Sequence, residues 1–343
     1  MTSTAPTMRR WRSGISVHSL ARHMICIPGE ARESVIRADT VDVSTLTALV
    51  IALRPWQWLK NLVVFAALIF AQKAGDLQTA LTALLAFCAF CLASSTGYLI
   101  NDLKDLQLDR RHPTKRRRPL ASGRLKVSVA VAGIIPLGLG AFWLSWTISD
   151  HTRPLGSRFV WIPMIYLALS LTYSMVLKRY FLVDVLTIAM GFLLRVVGGG
   201  VAIGVEVSSW LLVSTFFMAV FLGLGKRRGE LKSVELGNAQ DSATRPVLSQ
   251  YNQSLLDILM GATAAALLLS YVLYTVSPDS IEHFGSRALF YTIPFAFYGI
   301  GRYLALTIQS GDADDVAVLF WRDRPLQIAC GLWGLVVLYI IYA

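Results

Sequence analysis

The sequence predicts an all-α, polytopic membrane bundle of about nine transmembrane helices. Three observations predict it. Hydrophobic residues make up 55% of the 343-residue chain and charged residues only 15%, and the mean hydropathy of +0.56 exceeds what a water-facing surface permits. After about residue 60, apolar runs recur at roughly the 20-residue length that a helix needs to cross a hydrocarbon core. None alternates at period two, and backbone groups in lipid must be satisfied within the segment, so helices are expected rather than a barrel. A single soluble domain is excluded.

In chain order, residues 1–44 hold Ser, Thr, Arg and Gly without a run long enough to span, and are expected to form a flexible cytoplasmic arm. No apolar stretch with a small-residue cleavage site lies near Met1, so a cleaved signal peptide is not expected. Residues 45–343 are expected to form one transmembrane domain. Its spans fall at roughly 61–77, 79–100, 127–149, 159–177, 182–203, 209–225, 254–276, 288–308 and 326–343. Counted from a cytoplasmic N-terminus, the outside loops hold only Lys73, Arg153, Arg158 and Arg287, and Arg195 lies inside the fifth span. Every other Lys and Arg falls on the cytoplasmic side, which predicts N-terminus in and C-terminus out. Cys88 and Cys91 form a CxxC inside the second span with no further ligand near, so they are read as packing residues, not as a metal site.

The formal net charge is +11, and topology signals or anionic ligands can each produce such an excess. Position separates the two. The second span ends in Asn101-Asp102-Leu103-Lys104-Asp105-Leu106-Gln107-Leu108-Asp109, followed by a basic run from Arg110 to Arg118. Asp102, Asp105 and Asp109 are spaced i, i+3, i+7, so a continuing helix sets all three carboxylates, with Asn101 beside them, on about one face. Three facing carboxylates repel unless a cation lies among them. Oxygen-only ligands suit Mg²⁺, which usually binds one or two carboxylates plus substrate phosphate oxygens. The basic run can hold phosphate directly, although positive-inside pressure also accounts for it.

Asn101-Asp102-x-x-Asp105-x-x-x-Asp109 at the end of the second span is similar to the Mg-diphosphate motif of UbiA-type intramembrane prenyltransferases. Four further segments resemble the decaprenyl-phosphate phosphoribosyltransferase branch of that family: Arg54-Pro55-Trp56-Gln57-Trp58-Leu59-Lys60-Asn61, His112-Pro113-Thr114-Lys115-Arg116, Tyr173-Ser174-x-x-Leu177-Lys178 and Gly225-Lys226-Arg227-Arg228-Gly229-Glu230-Leu231. The resemblance implies transfer of 5-phosphoribose from PRPP to a polyprenyl phosphate, with Mg²⁺ held by Asp102, Asp105, Asp109 and Asn101. It implies a multi-pass cell-membrane enzyme with a cytoplasm-facing site and these two substrates as partners, and no nucleic acid. Lys60, Lys115, Arg116, Arg118, Lys178, Lys226 and Arg227 are candidates for the two substrate phosphates, and Gln57, Asn61, Tyr173, Asp184 and Glu230 complete the expected substrate-binding set.

One departure matters. Typical members carry a second Asp-rich motif after the sixth span, whereas this loop is expected to begin Lys226-Arg227-Arg228-Gly229-Glu230. Cations there suit a phosphate gripped directly. Arg195, three turns beyond Asp184 on the fifth span, is expected to lie deep in the membrane and either bind phosphate or pair with a helix carbonyl or carboxylate. Gly198-Gly199-Gly200 beyond it permits close helix approach or a break. The last cytoplasmic loop mixes Asp312, Asp314, Asp315, Arg322, Asp323 and Arg324, as a salt-bridged cap would. Glycine-rich helix faces allow a homo-oligomer. Two other functions share these features: ordinary prenyl transfer from a prenyl diphosphate to an aromatic or other acceptor, and transport of an anionic solute.

Overall fold

The computed structural model describes residues 45–112, 115–149, 158–235, 246–309, 320 and 322–343. The expected arm and the acids Asp312, Asp314 and Asp315 lie outside them. Among the described residues regular structure is helical throughout. Helix α1 (Thr45–Leu53) leads into a 3₁₀ helix (Pro55–Phe65) and α2 (Ala66–Phe70). Then follow α3 (Leu77–Lys104), α4 (Leu106–Arg111), α5 (Val127–Ile148), α6 (Trp161–Met175), α7 (Val183–Ala202) and α8 (Ser209–Glu235). The chain closes with α9 (Gln253–Val276), α10 (Pro278–Phe284), α11 (Ile293–Gln309) and α12 (Arg324–Tyr342).

Six helices, α3, α5, α7, α8, α9 and α12, are long and apolar enough to cross a membrane, and the segments Pro55–Phe70 and Trp161–Met175 are shorter apolar helices. The remaining predicted span is a 3₁₀ turn (Ala288–Thr292) running into α11. The outward face of α5 carries Val131, Ile135, Leu139 and Trp143, all exposed, as a lipid-facing helix requires. Trp56, Trp143, Trp146, Trp161, Tyr180, Tyr291 and Tyr339 are also exposed, amphipathic aromatics of the kind that membrane interfaces favour.

Two sequence expectations about boundaries are corrected. The loop expected to begin at Lys226 is helical, because α8 continues to Glu235. Its arginines find carboxylates on neighbouring helices, so the polar turns need not face water. The first span starts before residue 61, at Pro55, and ends at Phe70. Pro55 ends α1, since the residue before a proline is poorly suited to helix, and Arg54 turns with φ 56° and ψ 61°, a left-handed conformation costly for a side chain. The 3₁₀ helix that follows eclipses every third residue. Its inward face is therefore Trp58, Asn61 and Val64, with Asn61 and Val64 fully buried.

Helix α7 is the hub. Val185 and Ala189 belong to a core with α8, α9 and α11, while Val201 joins a second core with Val64 and residues of α3, α5 and α6. The approach of the first span to α7 is set by Gly199, where an added Cβ would lie 2.0 Å from the Val64 carbonyl oxygen. The Gly198–Gly200 triplet therefore permits close approach, and it does so within an unbroken α7. Gly199→Ala is expected to cost about 3 kcal/mol or more through forced separation of two backbones, read as a lowered unfolding temperature in detergent. An unchanged unfolding temperature would contradict this packing.

Candidate active site

Helix α3 has 28 residues, about 42 Å at 1.5 Å each, against about 30 Å of hydrocarbon. Its last turns can thus carry polar groups past the apolar layer. Asp102 there is 2% exposed and accepts from the Arg54 guanidinium and, at 3.2 Å, from Nη1 of Arg118. The same Nη1 lies 2.5 Å from Oδ2 of Asp109 on α4, itself buried. Two carboxylates therefore converge on one cationic nitrogen. Arg54 also lies over the Tyr98 ring, 5.1 Å from its centroid.

Asp105 does not join them. The helix breaks at this residue, which ends α3 and precedes α4, and its carboxylate lies 3.6 Å from Nζ of Lys178. The expectation of one continuous helical face with three carboxylates is corrected to a facing pair, Asp102 and Asp109, with Asp105 turned to the segment after α6. Asn101 is half-buried on the last turn of α3. Among the described residues no group of three metal-ligating His, Cys, Asp or Glu side chains occurs. The donor set still fits a divalent ion of the Mg²⁺ type, because two all-oxygen ligands already share one positive charge and such an ion commonly takes its other ligands from substrate phosphate.

The second basic motif is an ion-pair hub. Nε of Arg227, which is 1% exposed, bonds Oδ2 of the fully buried Asp184 at 2.5 Å, Nη1 reaches Glu230 at 2.6 Å, and Nη2 donates to the Tyr173 hydroxyl at 3.2 Å. Tyr251 donates to the other Asp184 oxygen at 2.8 Å. Burial and the neighbouring Asp184 charge raise the Tyr251 phenol above its ordinary pKa, so it stays a donor at neutral pH. Arg228 points away, to Asp257 of α9 at 2.5 Å and the Thr307 carbonyl of α11 at 3.1 Å. Adjacent arginines thus tie α8 to α7 on one side and to α9 and α11 on the other. Arg227, a candidate phosphate ligand in the sequence, is neutralised here between two carboxylates.

Arg195, 5% exposed, bonds Asn61 Oδ1 through Nε at 2.7 Å, the Gly191 carbonyl through Nη1 at 2.8 Å and the Tyr166 hydroxyl through Nη2 at 2.8 Å. Its guanidinium also lies 4.4 Å from the Tyr166 ring centroid. Of the alternatives open in the sequence, pairing with a helix carbonyl is the one present. Asn61 in turn donates to Cys91 Sγ at 3.3 Å and Ser94 Oγ at 3.4 Å, so four helices, α3, α6, α7 and the 3₁₀ helix, share one strut.

The segment Tyr173–Lys178 joins both motifs: Tyr173 reaches Arg227, Lys178 reaches Asp105, and the Ser174 carbonyl accepts from Lys104 at 2.9 Å. Gln57 is half-buried one turn after Arg54, Lys60 and Arg116 are exposed, and Lys115 and Lys226 are partly buried. In the last polar region Asp323 pairs with Arg302 at 2.7 Å and caps α12 through the Leu326 amide at 2.8 Å, a pairing that lowers its carboxyl pKa. Sequence reasoning missed four members of these networks. Arg54 carried one signal, a cation just before a span-initiating proline; Tyr166, Tyr251 and Asp257 carried none, since each is defined by a partner on another helix.

Similarity to known proteins agrees with this architecture. Residues 61–323 match the UbiA prenyltransferase family. The chain is 33% identical over 301 residues to the decaprenyl-phosphate phosphoribosyltransferase of Mycolicibacterium smegmatis, covering 84% of this chain and 90% of that one. It is also 33% identical over 298 residues to the protein of that name from Corynebacterium glutamicum, covering 85% and 86%. The fold is similar to that of a UbiA homolog from Archaeoglobus fulgidus solved with GPP and Mg²⁺, with TM-score 0.63 and 18% identity across 86% of this chain and 100% of that one. With a family match of that extent, and relatives a third identical along most of its length, this chain belongs to the UbiA prenyltransferase family.

Proposed function

We propose that this protein transfers 5-phosphoribose from PRPP to a polyprenyl phosphate of the decaprenyl type, releasing diphosphate, at the end of the bundle that carries Asp102. The observation that carries the reading is the pairing of a buried carboxylate couple, Asp102 and Asp109, with a second motif whose cation is already neutralised by Asp184 and Glu230. That arrangement supports one metal–diphosphate site, not two, and the relatives that share the chain's length are named for the same transfer.

In this reading Asp102 and Asp109, with Asn101 and Asp105 at the margin, hold the diphosphate's Mg²⁺. When bound, that ion stabilises the charge growing on the leaving diphosphate. Arg118, Lys178, Lys115, Arg116, Lys60 and Lys226 supply positive charge for the diphosphate, the 5-phosphate and the lipid phosphate, with Gln57 and Tyr173 as further substrate-binding groups, while Asn61 and Arg195 act from behind as the buried strut that holds the first span against α7. A lipid phosphate oxygen attacks C1 of the ribose as the C1–oxygen bond to diphosphate breaks and its electron pair leaves with the diphosphate. The nucleophile is already anionic, so no general base is required. The chain would cross the membrane nine times, with the N-terminus and this site facing the cytoplasm, and the lipid tail would pass sideways into the bilayer.

Purified protein incubated with labelled PRPP and decaprenyl phosphate is expected to yield a labelled lipid, and chelation of divalent ions to lower that yield at least about a hundredfold, with recovery on adding Mg²⁺. Turnover of a prenyl diphosphate onto an aromatic acceptor, without any PRPP-dependent lipid, would replace this reading with ordinary prenyl transfer.

A further inference from the structure

The first motif is charge-balanced before any substrate arrives. Asp102 and Asp109 contribute two negative charges, and Arg54 and Arg118 two positive ones, all within direct ion pairs. Both carboxylates are buried. A divalent ion entering alone would leave this closed cluster with two excess positive charges, beside two guanidinium groups, and would find only two converging carboxylates as ligands. The same ion bound to a diphosphate brings its own oxygen ligands and enough negative charge to restore the balance.

The two arginines differ in freedom. Arg54 lies over the Tyr98 ring while it meets Asp102, and its side chain is 19% exposed. Arg118 follows the single 3₁₀ turn Lys115–Arg117, and its side chain is 27% exposed. Its planar fork suits carboxylate and phosphate oxygens alike.

We infer that Arg118 is an exchangeable counter-ion that makes metal binding conditional on diphosphate: it holds Asp102 and Asp109 in the free enzyme and moves to the diphosphate when the metal–diphosphate complex enters. Arg54 remains on Asp102 as the fixed counter-charge. Arg118 is thus a specificity-determining residue that selects the complex over the free ion. The inference rests on the assignment of the diphosphate to this motif.

Protein-bound Mn²⁺ is counted by equilibrium dialysis in detergent, with and without inorganic diphosphate. The wild-type protein is expected to bind Mn²⁺ at least about tenfold more tightly with diphosphate than without. In R118Q, Mn²⁺ alone is expected to bind about tenfold more tightly than to wild type, and the effect of diphosphate is expected to shrink by about the same factor, the remainder being the oxygen ligands that diphosphate itself supplies. R118K keeps the charge without the fork, and is expected to bind Mn²⁺ alone no more tightly than wild type. It carries the test where R118Q is not recovered folded. Wild-type binding of Mn²⁺ that ignores diphosphate, an R118Q coupling equal to wild type, or tighter binding of Mn²⁺ alone by R118K would each overturn the inference. Coupling without transfer of label from PRPP would instead count against the proposed reaction, and transfer without coupling against the counter-ion role alone.

Discussion

Asp102→Asn is expected to lower kcat/KM for PRPP at least about a thousandfold, the scale of removing a charged group that acts on a leaving group in a low-dielectric site. The argument runs through burial and convergence. Asp102 is almost fully buried, meets Arg54 and Arg118, and shares Arg118 with Asp109. The amide keeps the shape and removes the charge, so the backbone of α3 should hold while the divalent ion loses one of its two carboxylates. Steady-state kinetics alongside thermal unfolding separate the two effects. A loss confined to KM would indicate that the residue only binds substrate, and full activity would remove Asp102 from the chemistry. Asp105→Ala should cost far less, since Asp105 pairs with Lys178 instead of the convergent pair.

Arg227→Ala is expected to destabilise the protein by about 3–5 kcal/mol, the range for breaking a buried ion pair by removing one partner. It would leave the Asp184 carboxylate with no exposure and only Tyr251 as donor, and would free Tyr173 from the hub. The unfolding midpoint in detergent measures the loss. Adding Asp184→Asn to Arg227→Ala should recover part of it, because the charge that lost its partner is then gone. If the double variant is as unstable as the sum of the singles, Arg227 contributes through packing and not through this pair.

Much of the site was legible because its signals are contiguous. Asp102, Asp109 and the basic run with Arg118 lie within one stretch, and helical spacing placed the first two near one another. Asp105 was misplaced because period arithmetic assumes an unbroken helix, while the chain breaks at that residue. Arg227, Tyr173, Asp184 and Glu230, chosen separately from the sequence, do meet in one hub, yet their charges cancel among themselves and do not stand open as a phosphate grip. Arg195 was legible as costly and buried, but not as a strut between α7, α6 and the first span.

By itself the sequence determined the membrane-helical class, because hydropathy and run length are local quantities that lipid thickness converts directly into helices. It also determined the acidic and basic motifs, which are strings. The tertiary structure alone decided which charge neutralises which: Arg54 reaches Asp102 across 48 positions, Arg227 reaches Asp184 across 43, and Arg195 reaches Asn61 across 134. Such choices depend on how closely helices pack, and here that distance is set by Gly199 against the Val64 carbonyl. In a low-dielectric interior each charge must find its counter-charge or polar partner at contact range, and contact between distant segments is what folding adds to a sequence.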